Sequence, residues 1–331
     1  MIIGITDRIT SLGPIEQEFE ENGMTFRFFN SLNEYDFNEQ DLAEVDALLV
    51  WHAKLTDCTA SRLRKCRIVV RYGVGYDQVD GDALARRGIP FANNPSYCTE
   101  EVADSAVAMI LSMTRNIGRH DALARSYGKT WQENSLRSLR SRACKVGLVG
   151  IGRIGAATAL RLRALGFQVM AYDPVVPAGT EKVLGVQRVS QLDELLSACD
   201  VVSLHCPLTP ETTGLIDQRF LAAMRSDGIL VNTARGKILR SLDDLYEHMQ
   251  ANPYFRASLD VLPQEPPSDH PLIAAWRERA PWLHERLVIN PHNAYHSDAA
   301  YVDMRRDALG TVWLALQHQR LQNIVNGVKA G

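Results

Sequence analysis

The sequence predicts an α/β chain built from two doubly wound parallel sheets. Three observations carry this. Short β-branched runs alternate with helical patterns over most of the length, and a glycine-rich turn, GIGRIG, stands between an apolar strand and a helix. The chain has 331 residues, 46% of them hydrophobic, which suits two cores of ordinary size better than one.

In the first part, strands are expected over residues 2–6, 24–29, 47–51, 68–71 and 89–93. Helical patterns lie between them at 14–21 and 80–87, the second closed by Gly88, where a left-handed cap is wanted. A long helix follows over 99–114, with Val102, Ala106, Met109, Ile110 and Met113 on one face, and then a polar, aromatic stretch around Trp131 that reads as a connector. A second series begins at Lys145. Its six strands are KVGLV, QVMAYD, DVVSLHC, GILVNTA, FRASLDV and RLVINPH. The last helix, about 297–319, has no strand to follow it and can return the chain to the first domain. The expected domains are therefore residues 1–97 with 295–331, a smaller flavodoxin-like substrate-binding domain, and residues 98–294, a Rossmann-like dinucleotide-binding domain.

Composition excludes other classes. The net charge is −3, and Lys, Arg, Asp and Glu are mixed along the chain, which leaves no continuous basic patch for nucleic acid and no basic amphipathic helix for a membrane surface. No apolar run reaches membrane-spanning length, and the strand-like start MIIGIT gives no reason to expect a signal peptide. The six cysteines, Cys58, Cys66, Cys98, Cys144, Cys199 and Cys206, show no CxxC spacing. Neither a metal site nor a disulfide framework is expected, and a cytoplasmic location fits.

Gly150, Gly152 and Gly155 follow the strand KVGLV directly and open the helix RIGAATALRLRALG. In that context the first glycine permits the tight turn, the second lets backbone approach a pyrophosphate, and the third allows close helix packing. The next strand ends in Asp173, placed to accept hydrogen bonds from the adenosine ribose. Its carboxylate would repel a 2′-phosphate, and Pro174, Val175 and Val176 bring no cation to compensate, so NAD is expected rather than NADP.

Reducing a 2-keto acid by hydride transfer needs a cation for the carboxylate, a proton donor at the carbonyl oxygen, and a group that keeps the donor protonated. Arg235 in VNTARG, His292 in NPHNAY and Glu265 in DVLPQEPP meet those needs, each just beyond a different strand of the second sheet. Ligands bind at that carboxyl edge. Taken singly each residue proves little; their joint placement downstream of the nucleotide loop makes them the candidate catalytic set.

The runs RYGVGYDQVD, PSYCTEEVADSAVAMIL, GLVGIGRIGAATALRLRALGFQVMAYDP, DVVSLHCPLTPETTGLID, ILVNTARG, DVLPQEPP and NPHNAY resemble the D-isomer-specific 2-hydroxyacid dehydrogenases. Within that family the nearest likeness is to the C-terminal-binding proteins and their bacterial relatives, through RYGVGYD, LHC and NAYHSDAAYVDMRRDA. The resemblance implies NAD-dependent interconversion of a small 2-keto acid and its D-2-hydroxy acid. It implies substrate-carboxylate contacts from the amides of Val74 and Gly75, with Arg71 alongside, and a substrate-pocket place for Tyr295. It implies cofactor contacts from Val149 through Arg153 and Ile154, from Cys206 to Thr212, and from Thr233, Ala234 and Asp260. It also implies a homodimer, in which the 99–114 helix, with more apolar surface than a connector needs, and the arm around Trp131 form the interface.

Two departures stand out: Arg240 and Ser241 follow Ile238–Leu239 where the family usually has Asp-Glu, and the loop between His270 and His292 is long, holding Trp276, Trp282 and His284. Two alternatives stay open. One is a dinucleotide-sensing corepressor-like scaffold; the other is a dehydrogenase of a phosphorylated hydroxy acid such as 3-phosphoglycerate, with Lys54 and Arg71 as candidate cations.

Overall fold

The computed structural model describes residues 1–329 except 126, 129, 130, 133–135, 284 and 285. The chain divides into two compact units, Met1–Cys98 with Ser297–Gly331 and Thr99–His296.

The first unit opens with β1 (Ile2–Ile5), α1 (Pro14–Glu20), β2 (Thr25–Phe28), α2 (Glu39–Glu44) and β3 (Ala47–Val50). It continues through α3 (Asp57–Arg62), β4 (Ile68–Arg71), α4 (Gly81–Ala85) and β5 (Phe91–Ala92). Its five strands are parallel in the order β2-β1-β3-β4-β5. Strands covered on both faces need unbroken apolar runs, and Ala47–Val50 and Ile68–Val70 supply them. Alternation then divides the core: Ile3, Ile5, Leu49 and Val70 face one layer, Leu48, Val50 and Val69 the other. Asp80 caps α4 by accepting from Ala83 N at 2.8 Å, and Gly88 ends that segment at φ +68°.

The second unit begins with α5 (Thr99–Arg115) and α6 (Ile117–Arg125), so part of the expected connector is helical. Its sheet elements follow as β6 (Lys145–Val149), α7 (Arg153–Ala164), β7 (Gln168–Tyr172), α8 (Thr180–Leu184), β8 (Gln187–Arg188), α9 (Leu192–Ala198) and β9 (Val201–Leu204). Then come α10 (Gln218–Ala223), β10 (Ile229–Asn232), α11 (Leu242–Ala251), β11 (Arg256–Leu259), α12 (Pro271–Arg277) and β12 (Leu287–Ile289). The sheet is parallel with seven strands, β12-β11-β10-β9-β6-β7-β8, not the six expected. The extra strand, β8, is two residues long and polar, and it exists because it pairs with β7, which no local periodicity reveals.

The apolar stripe of α5 is not spare surface. Val107, Met109, Ile110 and Met113 are buried in one cluster with Val146 and Leu148 of β6 and Ala159 of α7, so the surplus that suggested an interface is consumed inside the unit. Exposed apolar residues lie further on, at Ile117, Leu123, Tyr127 and Trp131, in the arm that is described only in part. The long loop also resolves: Trp276 and Trp282 pack against the second-unit core, while His284 lies outside the described residues. Ser241 caps α11 by accepting from Asp244 N at 3.2 Å, and Arg240 pairs with Asp244 at 2.7 Å, which is how this chain builds that helix start without Asp-Glu.

The last helix, α13 (Asp298–His318), buries Met304, Ala308, Leu309 and Val312 against Ile3, Ile5 and Val70 of the first unit. An ion pair between Glu16 of α1 and Arg305 of α13, with 0% and 11% of the side chains exposed, ties the two helices together. Among the described residues no helix is long and apolar enough to cross a membrane, and the six cysteines are free thiols.

Candidate active site

In a parallel sheet every strand ends on the same edge, and the second unit gathers its chemistry there. At the end of β6, Gly150 takes φ +95°, and a Cβ there would lie 2.8 Å from Cys206 N; a Cβ on Gly155 would run into the Gly150 carbonyl. Gly152, the N-cap of α7, has open space where its Cβ would be, with Arg153 and Ile154 opening the helix behind it. The result is a cradle of backbone at a helix N-terminus, lying where the strand order reverses between β9 and β6. Further along the edge the Thr233 hydroxyl is buried and, among the described residues, has no protein partner. An open glycine cradle and an orphaned hydroxyl beyond β10 fit a dinucleotide.

Asp173 stands at the end of β7 as expected, but its carboxylate already accepts from Ile151 N at 2.8 Å, Val175 N at 2.8 Å and Val176 N at 3.0 Å. One group the sequence reading missed is Arg188. From β8 its guanidinium donates to the carbonyls of Asp173 at 2.6 Å and Val176 at 3.2 Å, and Glu181 lies 3.7 Å from it. There is thus a cation beside Asp173 after all, engaged by two carbonyls and a carboxylate. Its signal is strand pairing, since Arg188 stands opposite Ala171.

The loop after β9 holds Cys206 and Thr212. The Cys206 thiol is half-buried, and burial pushes it up to about 11, so it is a neutral thiol near pH 7. The Thr212 hydroxyl accepts from Thr209 N at 2.8 Å and donates to Pro207 O at 2.6 Å; it braces its own turn. His205 is half-buried, held by Ser203 at 2.9 Å, and desolvation of its ring lowers it to about 4, which keeps the ring neutral beneath the phosphate loop.

Beyond β10 and β11 stand the three candidate catalytic groups. The side chain of Asn232 accepts from Ala234 N and donates to Arg235 O, both at 3.0 Å, so a buried amide sets the turn that carries Arg235. Arg235 is half-buried and donates to Ala234 O at 2.7 Å. His292 Nδ1 lies 2.7 Å from Glu265 Oε2, and Leu262 N donates to Glu265 Oε1 at 2.8 Å. A carboxylate only accepts, so Nδ1 carries the proton of that bond and Nε2 is the nitrogen left to exchange one. Burial pushes the Glu265 carboxyl up, but the hydrogen bond and charge of His292, the Leu262 N–H and the Arg235 charge outweigh it and hold it below the usual carboxylate range. That influence brings Arg235 into the same electrostatic site as the pair.

His292 itself takes φ +57°, a left-handed conformation that costs a side-chain-bearing residue about 1 kcal/mol or more. Asp260 holds it there. Its carbonyl accepts from His292 N at 2.8 Å, and its carboxylate accepts from Asn293 N at 3.0 Å and Ala294 N at 3.0 Å. Burial pushes the Asp260 carboxyl up against those N–H bonds. The residue expected to touch the cofactor is thus already the clamp of the histidine turn. Tyr295 follows, its ring edge-on to His292 with centroids 6.4 Å apart.

In the first unit, Val74 and Gly75 are half-buried in the loop after β4. The Arg71 guanidinium folds across Gly73, where a Cβ would collide with it. Lys54 is exposed. Among the described residues no group of three or more His, Cys, Asp or Glu could hold a metal ion.

Residues 107–294 match the model for the NAD-binding domain of D-isomer-specific 2-hydroxyacid dehydrogenases. The chain belongs to that family. It is 35% identical over 284 residues to the D-3-phosphoglycerate dehydrogenase of Mycobacterium leprae, covering 86% of this chain and 51% of that one. It thus spans about half the length of the curated relatives it matches. Among solved structures it is similar to a D-lactate dehydrogenase from Aquifex aeolicus complexed with NAD and lactic acid, with 27% identity, a TM-score of 0.85, and coverage of 98% and 99% of the two chains. It is also similar to an NADPH-dependent glyoxylate/hydroxypyruvate reductase from Sinorhizobium meliloti, in complex with NADP and malonate, with 25% identity, a TM-score of 0.84, and coverage of 99% and 97%. Family membership makes the glycine cradle at β6 part of an NAD-binding domain, in agreement with the reading of GIGRIG.

Proposed function

We propose that this chain interconverts a small 2-keto acid and its D-2-hydroxy acid, with His292 as general acid and base, Glu265 as its orienting carboxylate and Arg235 as the cation for the substrate carboxylate. The observation that carries the reading is the 2.7 Å contact between His292 Nδ1 and Glu265 Oε2, within the influence of Arg235 at the edge that ends the nucleotide loop. Gly150, Gly152, Arg153 and Ile154 would hold the pyrophosphate of NAD and Asp173 the ribose, with Cys206, Thr212, Thr233, Ala234 and Asp260 lining the remainder. When bound, NAD supplies or accepts the hydride. In the reductive direction Nε2 of His292 gives its proton to the carbonyl oxygen, and Glu265 holds the resulting neutral ring in the Nδ1–H form. In the oxidative direction the same nitrogen takes the hydroxyl proton. Arg71 and the amides of Val74 and Gly75 are assigned to the substrate carboxylate, and Tyr295 to the substrate side chain.

The test is a panel of glyoxylate, hydroxypyruvate, pyruvate and larger branched or aromatic 2-keto acids with NADH. Turnover of at least one is expected. Tight NADH binding with no turnover of any member would overturn the enzyme reading in favour of the scaffold, whose support is the likeness of RYGVGYD and LHC to the C-terminal-binding proteins.

A second reading is favoured by the phosphoglycerate dehydrogenases among the relatives. For it the panel includes 3-phosphohydroxypyruvate; a higher kcat/KM than hydroxypyruvate would favour a phosphorylated substrate. A homodimer is also proposed, its support now resting on exposed Ile117, Leu123, Tyr127 and Trp131, and sedimentation at micromolar concentration checks it. The free thiols support a cytoplasmic location.

A further inference from the structure

Two asparagines at the end of β5 control the direction of two backbone donors in the loop after β4. Asn93 Nδ2 donates to Val74 O at 2.6 Å, and Asn94 N donates to Gly73 O at 3.2 Å. These peptides are trans, and a trans peptide points its C=O and N–H in opposite directions. Fixing the Gly73 carbonyl therefore fixes the Val74 N–H, and fixing the Val74 carbonyl fixes the Gly75 N–H. Both carbonyls are turned toward residues 93 and 94, so both N–H groups face the other way. Among the described residues neither of them donates to a protein acceptor. Two successive N–H groups aimed to one side form a concavity that binds an anion.

The brace is itself anchored. Asn93 and Asn94 are 8% and 3% exposed. Asn93 N donates to Asn323 O at 3.2 Å, and Asn94 Nδ2 donates to Met304 O at 3.0 Å, which ties the pair to α13 and the segment after it. The side chain of Asn93 does nothing for the core that an apolar residue could not do better, since burying an amide stabilises only where it is hydrogen-bonded. Among the described residues its side-chain amide donates to the Val74 carbonyl.

We propose that Asn93 is a positioning residue for substrate recognition: by holding the Val74–Gly75 peptide it presents the paired N–H groups to the carboxylate of the 2-keto acid. This rests on the reading that the first unit binds that carboxylate. The residue touches no reacting atom, so its loss acts on binding rather than on turnover.

Asn93→Asp tests it, because it keeps the shape and replaces the donor with an acceptor that repels the Val74 carbonyl. The KM for glyoxylate or hydroxypyruvate, and the inhibition constant of the unreactive isostere oxamate, are expected to rise about tenfold, the usual scale for losing one aimed bond to a charged group. The kcat and the NADH dissociation constant should stay close to those of the unchanged protein, since the nucleotide loop is in the other unit; a folding defect alone would lower active protein without splitting KM from kcat. A folded Asn93→Asp protein whose KM and oxamate constant stay within twofold overturns the proposal while leaving the dehydrogenase reading intact. Should the variant not fold, or should no keto acid be reduced, amide NMR of the unchanged protein decides: with NADH present, oxamate should move the Val74 and Gly75 resonances, and their failure to move overturns the proposal.

Discussion

The two units share one architecture, a parallel sheet covered by helices on both faces, and differ in what stands at the carboxyl edge. In the first unit the edge offers backbone N–H groups aimed by neutral amides, with Trp51 at the end of β3 tilted against Tyr72 and Tyr301, each at a centroid distance of 5.7 Å. In the second unit it offers groups that change charge or carry it: Arg235, Glu265, His292 and the buried Asp260. The difference teaches that the fold positions an edge and the residues after each strand decide what it does. Fixed dipoles recognise without titrating, while proton transfer needs a group whose charge is negotiable. The division predicts that variants of one edge separate from variants of the other.

The largest effect belongs to the proton donor. His292→Ala should lose about a hundredfold or more in turnover with the best keto acid, the usual scale for a positioned general acid, with NADH binding retained. Near-normal kcat in that variant would remove the second edge from the chemistry. A comparable effect, on stability alone, is expected in the first unit. Glu16→Ala leaves Arg305 buried without its carboxylate, and breaking such a pair costs about 3–5 kcal/mol. Urea unfolding should show an earlier transition for the first unit, and NADH binding by the second should persist below that midpoint. An unmoved midpoint would mean that the ion pair contributes nothing.

What the sequence made legible follows the same division. Strands of four or five apolar residues declare themselves by composition, and since parallel strands end on one edge, the order of GIGRIG, NTARG, QEPP and NPH was enough to put Arg235, Glu265 and His292 on it. Their separation was not legible: the 2.7 Å contact spans 27 residues of chain and depends on how two loops turn. The supports were hidden for the same reason. Asp260 clamps a turn 33 residues away, Asn93 reaches back 19 residues to Val74, and Arg188 meets Asp173 only because a two-residue strand pairs with β7. The apolar stripe of α5 misled in the other direction, since a stripe read from sequence does not say whether its partner is the same chain or another. Thr212 shows a further limit: the sequence does not reveal that its hydroxyl also braces its own turn.

A smaller effect concerns the nucleotide. Asp173 at the ribose position should give NADH at least about a tenfold advantage over NADPH, about 1.4 kcal/mol. Arg188 is the residue that sharpens this. With its guanidinium engaged by two carbonyls and Glu181 nearby, it should offer little to a 2′-phosphate, and the preference should hold. Steady-state kcat/KM with both nucleotides is the measurement. Equal values would mean that Arg188 leaves its carbonyls for the phosphate and that the carboxylate does not decide.

The smallest effect is a shift along the pH axis, and its direction is fixed by charge. Glu265 is held below the usual carboxylate range, so it is ionised throughout the neutral region, and what it contributes to stability is lost only as pH falls through its lowered value. In that region its negative charge favours the protonated ring of His292. Keto-acid reduction needs that protonated ring and should decline as pH rises; hydroxy-acid oxidation needs the neutral ring and should decline as pH falls. Glu265→Gln removes the charge, so both limbs should move to lower pH. The side chains of the pair are 38% and 37% exposed, so water screens the interaction and the movement should be small. The amide brings a second consequence, because Glu265 uses one oxygen for His292 and the other for Leu262 N–H, and glutamine has only one oxygen to offer. Either the ring or the Leu262 N–H loses its acceptor, so kcat should also fall several-fold at the new optimum while NADH binding is unchanged. Parallel pH profiles in the two directions separate the outcomes: limbs that move upward, or that move in opposite senses, would show that Glu265 does not act on His292 through its charge.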